Sequence, residues 1–322
     1  MADVATAAGV GLKTVSRVVN GVKTVDPELA GRVHVAIEAL GYRHNLLAAT
    51  LKAGSRTGTI ALVLRDTAEP LVPRLIAGVS RVAMAHGTHV IAVVDDGEPS
   101  VTTEVPVVTD LINRRVDGLI LASSAPDHAW LGPELERGVK LVFLDRPPVG
   151  LVADTVVAAD RDGARAAAAG LVAEGHHRVG LLLATPARAS QAERWTGARA
   201  ALSTAGLLLS QCPQLTGLGE RTARDAVEHL LDGPFPPTAL IAGDGAVAIG
   251  AAKALAGRRS TMPLVVLDAV PLIDLLPLDV RVVAVDAEEM GSQAARLLFA
   301  RLDGLDSPPR TVRLPMVRQT SD

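Results

Sequence analysis

From residue 60 onward the chain repeats one pattern, a short apolar run rich in Val, Leu and Ile followed by an amphipathic stretch. The runs fall at residues 60–64, 90–94, 118–122, 141–144, 156–159, 179–183, 239–242, 264–267 and 282–285. Runs without polar alternation read as strands covered on both faces, and the stretches between them read as the helices that cover them. This alternation dictates parallel α/β layers. The tract is too long for one compact sheet, so two similar lobes are expected, dividing near residue 157 with a crossing back near residue 286. A further strand is expected at residues 311–317. Aromatic residues make up only 2% of the chain, so the cores must be packed from Val, Leu, Ile and Ala.

Several of these runs are followed by an acid, among them Asp145, Asp244 and Asp268. In open parallel sheets the carboxyl ends of strands line the ligand crevice, where carboxylates suit hydroxyl or amine groups. The competing role is capping of the next helix, which is common for Asp at such positions. Both remain open at each position.

The first 58 residues follow a different pattern. Ala5, Gly9 and Val15 have the spacing of two short helices crossing at a tight turn: a small residue at the crossing, a glycine for the positive φ, and an aliphatic plug. The second helix carries Leu12, Lys13, Thr14, Ser16, Arg17 and Asn20, a polar and basic set suited to a DNA groove. Asp26-Pro27-Glu28 opens a third helix running to about Leu40, with Val33, Ile37 and Leu40 as its apolar stripe, Gly41 capping it and Tyr42 closing the three-helix core. Residues 45–53 form another short helical stretch, too short to be stable alone, before a Gly/Ser junction at residues 54–58.

Charge follows the same division. The chain carries a net charge of −3, but residues 1–58 hold seven Lys/Arg against four Asp/Glu. A basic head on an acidic body suggests a polyanion-binding module joined to something else. Cys212 is the only cysteine, which excludes an intrachain disulfide and a cysteine-rich zinc module. No apolar run is long enough to span a membrane and no leader is evident, so the cytoplasm is expected. A nucleotide-dependent α/β enzyme is disfavoured by the lack of a Gly-x-Gly-x-x-Gly after a strand, a phosphate loop, HExxH or Gly-x-Ser-x-Gly. A solute-binding protein is opposed by the basic head. No cofactor or metal is called for, and His176-His177 reads as part of a helix-to-strand turn.

The motifs Asp3-Val4-Ala5, Ala8-Gly9-Val10, Thr14-Val15-Ser16-Arg17-Val18-Val19-Asn20-Gly21, Val25-Asp26-Pro27-Glu28 and Ala36-Ile37-Glu38-Ala39-Leu40-Gly41-Tyr42 occur in this order. Arg115-Val116-Asp117-Gly118, Gly175-His176-His177-Arg178 and Glu289-Met290-Gly291 follow in the body. In order and spacing the chain resembles the lactose-repressor (LacI/GalR-type) family of bacterial transcription regulators over essentially its whole length. The resemblance implies a small all-α helix-turn-helix head plus hinge helix, joined to a two-lobed α/β periplasmic-binding-protein-like body with parallel sheets. The head is placed at residues 1–44, the hinge helix and linker at 45–58, and the effector-binding and dimerisation body at 59–322. Lobe 1 is drawn as about 59–157 plus 287–313, and lobe 2 as about 158–286 plus 314–322.

The same resemblance implies a homodimer on double-stranded DNA, a near-palindromic operator, and a small-molecule effector, a sugar or other metabolite, between the lobes. By family position Leu12, Lys13 and Arg17 read bases, while Thr14, Ser16 and Asn20 face the backbone. Asn45, Ala48 and Leu51 belong to a minor-groove hinge, with Leu51 as the wedge. Asp145, Arg194 and Asp268 fall in the effector pocket, with Asp244 at its mouth. Departures from the family pattern are Gly243 for Asn, Ala269 for Asp, Leu218 for a stacking aromatic, Val285 for Gln, and Glu69-Pro70-Leu71-Val72 for an Asn-Pro-Phe-Phe-like stretch. They strip the pocket of amides and stacking faces, which suits a smaller or more apolar effector, or none. Gly11 replaces a capping Ser, and the first helix lacks its N-cap. Whether the effector releases or tightens DNA binding stays open.

Overall fold

The computed structural model describes residues 1–19, 22, 24–42, 56–64, 71–94, 101–123, 125–185 and 188–319. The chain divides into two compact units, residues 1–57 and 58–322. Asn20, the expected hinge residues Asn45, Ala48 and Leu51, and the Glu69-Pro70 departure lie outside the described residues.

The first unit contains α1 (Ala2–Ala8), α2 (Leu12–Val19) and α3 (Pro27–Ala39). Its core is built from small aliphatic side chains: Val4, Ala5, Ala8, Val15, Val18, Val33 and Ala36. Gly9 takes φ 62° in the turn after α1, and Arg32 on α3 donates to its carbonyl at 3.2 Å. The Asp26 carboxylate caps α3 by accepting from the N–H groups of Glu28 and Leu29. α1 has no side-chain cap. The expected apolar stripe of α3 needs correction, because Leu40 is 50% exposed and Ala36 is buried instead. Leu40 is the last residue before Gly41 turns left-handed at φ 56°. That turn brings the Tyr42 N–H to the Ile37 carbonyl and packs Tyr42 against the core in place of Leu40.

The described residues of the second unit form two six-stranded sheets. Lobe 1 comprises β1 (Thr59–Leu64), β2 (His89–Val94), β3 (Gly118–Leu121), β4 (Leu141–Leu144), β5 (Asp154–Ala158) and β11 (Thr311–Leu314), in the order β11-β5-β4-β3-β1-β2. Lobe 2 comprises β6 (Val179–Leu182), β7 (Gln214–Leu215), β8 (Ala239–Ala242), β9 (Leu264–Val266), β10 (Val280–Val285) and β12 (Met316–Arg318), in the order β12-β10-β9-β8-β6-β7. The central strands are buried along their length, as continuous apolar runs require. The helices are α4 (Val72–Ala85), α5 (Val101–Asn113), α6 (Gly132–Glu136), α7 (Asp160–Ala173), α8 (Ala189–Thr204), α9 (Glu220–Asp232), α10 (Gly245–Gly257) and α11 (Ala287–Leu302).

The continuous strand expected at residues 311–317 is two strands. Pro315, which has no N–H to donate, separates them. β11 pairs parallel with β5 in lobe 1, whereas β12 pairs antiparallel with β10 in lobe 2. The chain therefore passes between lobes after β5, after β10 and at Pro315. The two-residue β7, too short to register as an apolar run, was not expected. Close helix pairs cover the sheets through glycine contacts. A Cβ on Gly291 of α11 would overlap the Leu75 carbonyl of α4, and one on Gly197 of α8 would overlap the Arg161 carbonyl of α7.

Candidate DNA-reading face and inter-lobe site

α2 buries Val15 and Val18 against the head core. Its outer face then carries Leu12, Lys13 and Arg17, all exposed, with Thr14 and Ser16 half-buried at its margins. Leu12 is 55% exposed, a large apolar side chain left in water where a thymine methyl could cover it. A guanidinium Nη of Arg17 donates to the Thr24 hydroxyl at 2.7 Å. Gly11 precedes α2, and its carbonyl accepts from the N–H groups of Thr14 and Val15.

In the second unit the expected pocket residues gather around Arg194 of α8. Its Nε donates to Asp160 at the start of α7, at 2.6 Å, and an Nη donates to the Gly243 carbonyl beyond β8. Asp268, past β9, and Asp145, past β4, act on the same guanidinium electrostatically. Burial works against the Arg194 charge, and the carboxylates of Asp160, Asp268 and Asp145 outweigh it, so its pKa lies above the ordinary value. Burial raises Asp160 and Asp268 above the usual carboxylate range, with Arg194 pulling both the other way. Asp268 also accepts from the Ala269 N–H at 2.9 Å. Asp145 holds φ 69°, which is uncommon outside glycine and worth noting at a strand exit.

Asp244 is placed differently. One carboxylate oxygen caps α10 by accepting from the Val247 N–H at 2.9 Å. Asp160 is the residue that sequence reasoning missed. It follows the apolar run at residues 156–159, the same strand-end signal that singled out the other three acids. Gln191 was also missed. It is 3% exposed, and its Nε2 donates to the Gly243 carbonyl at 2.9 Å. Its Oε1 lies 2.7 Å from where a Cβ on Gly243 would be. An amide therefore fills the room left by the glycine at 243. Leu218 and Val285 sit at the margins of the apolar cores.

A cleft of about 610 Å³ opens beside this cluster. Its lining includes Asp145 and Pro147 from lobe 1, Asp160 and Arg161 from the start of α7, and Ser190 and Glu193 from α8. Of the expected effector residues Asp145 lines this cleft, while Arg194, Asp244 and Asp268 are not among its lining residues. The carboxylates of Asp145, Asp160 and Glu193 with the Arg161 guanidinium suit a small ligand rich in hydroxyls or amines. Among the described residues no group of three or more His, Cys, Asp or Glu is placed to hold a metal ion.

Comparison with known proteins agrees with this geometry. Residues 57–267 match the family of periplasmic binding proteins and the sugar binding domain of the LacI family, and residues 1–45 match the bacterial regulatory proteins of the lacI family. The chain belongs to the LacI family. It is accordingly a DNA-binding transcriptional regulator, with the helix-turn-helix head and two parallel-sheet lobes that the family carries. The regulator is 31% identical over 321 residues to the HTH-type transcriptional regulator CelR of Thermobifida fusca, covering 95% of this chain and 92% of that one. It is 29% identical over 313 residues to the ribose operon repressor of Escherichia coli K12, covering 94% and 92%. Among solved structures, the CelR–cellobiose complex matches with a TM-score of 0.68 and 26% identity, covering 99% of this chain and 97% of that one. The lac repressor bound to ONPG matches in fold with a TM-score of 0.82 at 23% identity, again covering 99% and 97%. No helix among the described residues is long and apolar enough to cross a membrane.

Proposed function

We propose that this LacI-family regulator is a homodimeric, cytoplasmic repressor whose hold on a near-palindromic operator is set by a small polar metabolite between its lobes. It works by binding rather than turnover. One observation carries the effector site: a buried arginine, Arg194, faces Asp160, Asp145 and Asp268 beside an open cleft. Asp244, with one oxygen spent on α10, is assigned to the mouth of the site. CelR, a relative, has been solved with cellobiose, which favours a hydroxyl-bearing ligand here too. Gly243 and Leu218, where amide and aromatic side chains are common, favour a smaller one.

Residues 1–44 act as the reading head, 45–58 as hinge and linker, and 59–322 as the body. Leu12, Lys13 and Arg17 meet base edges, Thr14, Ser16 and Asn20 meet phosphates, and Asn45, Ala48 and Leu51 enter the minor groove. Dimer formation is supported by the edge strand β2 and the helix before it. Ile91 and Met84 there are 41% and 70% exposed, and an uncovered apolar edge invites a second copy.

The test is operator selection from random DNA, followed by binding assays against a metabolite panel. The expected result is a near-palindrome whose affinity shifts about 5- to 150-fold with at least one metabolite. Selection returning no enriched near-palindrome would overturn the operator assignment, and a panel without effect would overturn the effector assignment.

A further inference from the structure

Lobe 1 keeps out of water a chain of polar side chains that the ligand site does not use. Glu104 in the first turn of α5, Ser123 just past β3, and His128 on the loop that follows are only 2–3% exposed. The Ser123 hydroxyl donates to a Glu104 carboxylate oxygen. Its Oγ lies 2.8 Å from His128 Nε2 and accepts from the Ala125 N–H at 3.0 Å. At the other end of the ring, Nδ1 accepts from the backbone N–H of Val149 at 3.0 Å, and the His128 N–H donates to the Val149 carbonyl at 2.8 Å. An accepting Nδ1 puts the ring proton on Nε2, which then donates to Ser123.

Val149 belongs to residues 145–153, the loop from β4 to β5, whose first residues Asp145 and Pro147 line the cleft. The loop lies close against its neighbour. A Cβ on Gly150 would come within 2.5 Å of Asp127 Oδ1. Phe143 of β4 meets the His128 ring edge-on, with centroids 4.9 Å apart. Apolar residues could fill this space without the desolvation cost of three polar ones. What the polar chain adds is a fixed direction for the Val149 backbone.

We propose that His128 is a positioning residue for the inter-lobe ligand site, its neutral ring holding the 145–153 loop, and so Asp145 and Pro147, against lobe 1. The ligand role of Asp145 rests on the function proposed above; the strut itself does not. Protonation would place an N–H on Nδ1 facing the Val149 N–H, so the charged ring cannot keep that bond. The charged groups facing the ring are Glu104 of α5, 3.8 Å from Nε2, and Asp127 on its own loop. β4 presents Phe143, and the returning loop presents the Val149 backbone. Burial pushes the His128 pKa below the ordinary value, outweighing the upward pulls of the Val149 backbone and, more weakly, of Asp127. The strut is therefore intact at neutral pH and loosens as pH falls below the usual histidine range.

The test is hydrogen exchange followed by mass spectrometry on the full chain without ligand, comparing wild type, His128→Asn and His128→Gln. Asn places its oxygen near Nδ1 and can still accept from Val149. Gln places its amide near Nε2 and can reach only Ser123. Peptides spanning residues 145–153 should stay protected in His128→Asn and exchange about tenfold faster or more in His128→Gln, with lobe 2 peptides unchanged. Protection in His128→Gln equal to wild type would overturn the proposal. So would loss in both variants, since that is what a core-filling role gives. After correction for intrinsic exchange, wild-type protection should hold at neutral pH and fall as pH is taken below about 6, and that of His128→Asn should not; a wild-type profile that stays flat down to the onset of acid unfolding refutes the neutral-ring requirement. The readout contains no ligand, so an ineffective metabolite panel and a failed strut are distinguishable.

Discussion

Among the described residues the body buries two arginine–aspartate pairs, and they are finished in opposite ways. In lobe 1, Arg301 of α11 donates to both oxygens of Asp154, and also to the carbonyls of Leu305, Ser307 and Pro308. Asp154 accepts in addition from the Arg310 N–H. This pair is closed, and every group faces a partner in the segment it staples. Arg194 instead bonds Asp160 and one carbonyl, while further acids, Asp268 and Asp145, face it beside a cleft. A buried pair whose hydrogen bonds are all used inside the fold serves structure. One with charge left over beside a cleft is where the proposed ligand would bind.

That contrast can be broken by substitution. Arg301→Ala should have the largest effect, about 3–5 kcal/mol in urea denaturation, because it strands the buried Asp154 carboxylate. It should leave the metabolite response of the surviving folded fraction unchanged. Arg194→Ala should cost less, about 1–3 kcal/mol, because Asp160, already shifted upward by burial, can take up a proton. Operator assays on this variant should show the metabolite response lost and binding retained. If the two variants cost the same and Arg194→Ala still responds, the distinction fails.

The pH dependence sharpens the same point. Asp160 and Asp268 have folded-state pKa values above their unfolded ones, so the folded chain binds more protons between the two. Their contribution is fully present below the unfolded value of about 3.9 and is lost as pH rises through the folded value. Asp268→Asn should therefore gain on wild type in denaturant midpoint as pH rises from about 4 toward neutrality. A gain that shrinks over this range would show that Arg194 compensates the carboxylate fully. The smallest effect is expected at the exposed pair Arg258–Asp232, bidentate at 2.7 Å but solvated. Arg258→Ala should leave the denaturation midpoint within error of wild type.

The fold was legible because its signals are local. Continuous apolar runs announced the covered strands, and Asp26-Pro27-Glu28 announced α3. The errors occurred where a tertiary partner or a change of lobe decided the outcome. Tyr42 closes the head core as expected, but Leu40 beside Gly41 stays in water and Ala36 takes its place in the stripe, and Pro315 hands one expected strand to two sheets. At the inter-lobe site, the acids after strands could be read from sequence, but which of them meets Arg194 could not. Gln191 and Gly243 are 52 positions apart, and their contact has no local trace. The same holds for Glu104, Ser123 and His128, whose hydrogen-bonded chain draws on a helix and two loop positions.

The three passages between lobes have a consequence for how such regulators can be recombined. Neither lobe is a continuous stretch of chain, so a ligand-binding lobe cannot be exchanged by joining two gene fragments. A transplanted lobe needs matched junctions near residues 159, 286 and 315 at once, and an error at any of them misregisters a strand. The helical unit at residues 1–57 is continuous and needs a single junction. New DNA specificity is therefore a one-cut graft, whereas new ligand specificity has to be reached by substituting side chains in place.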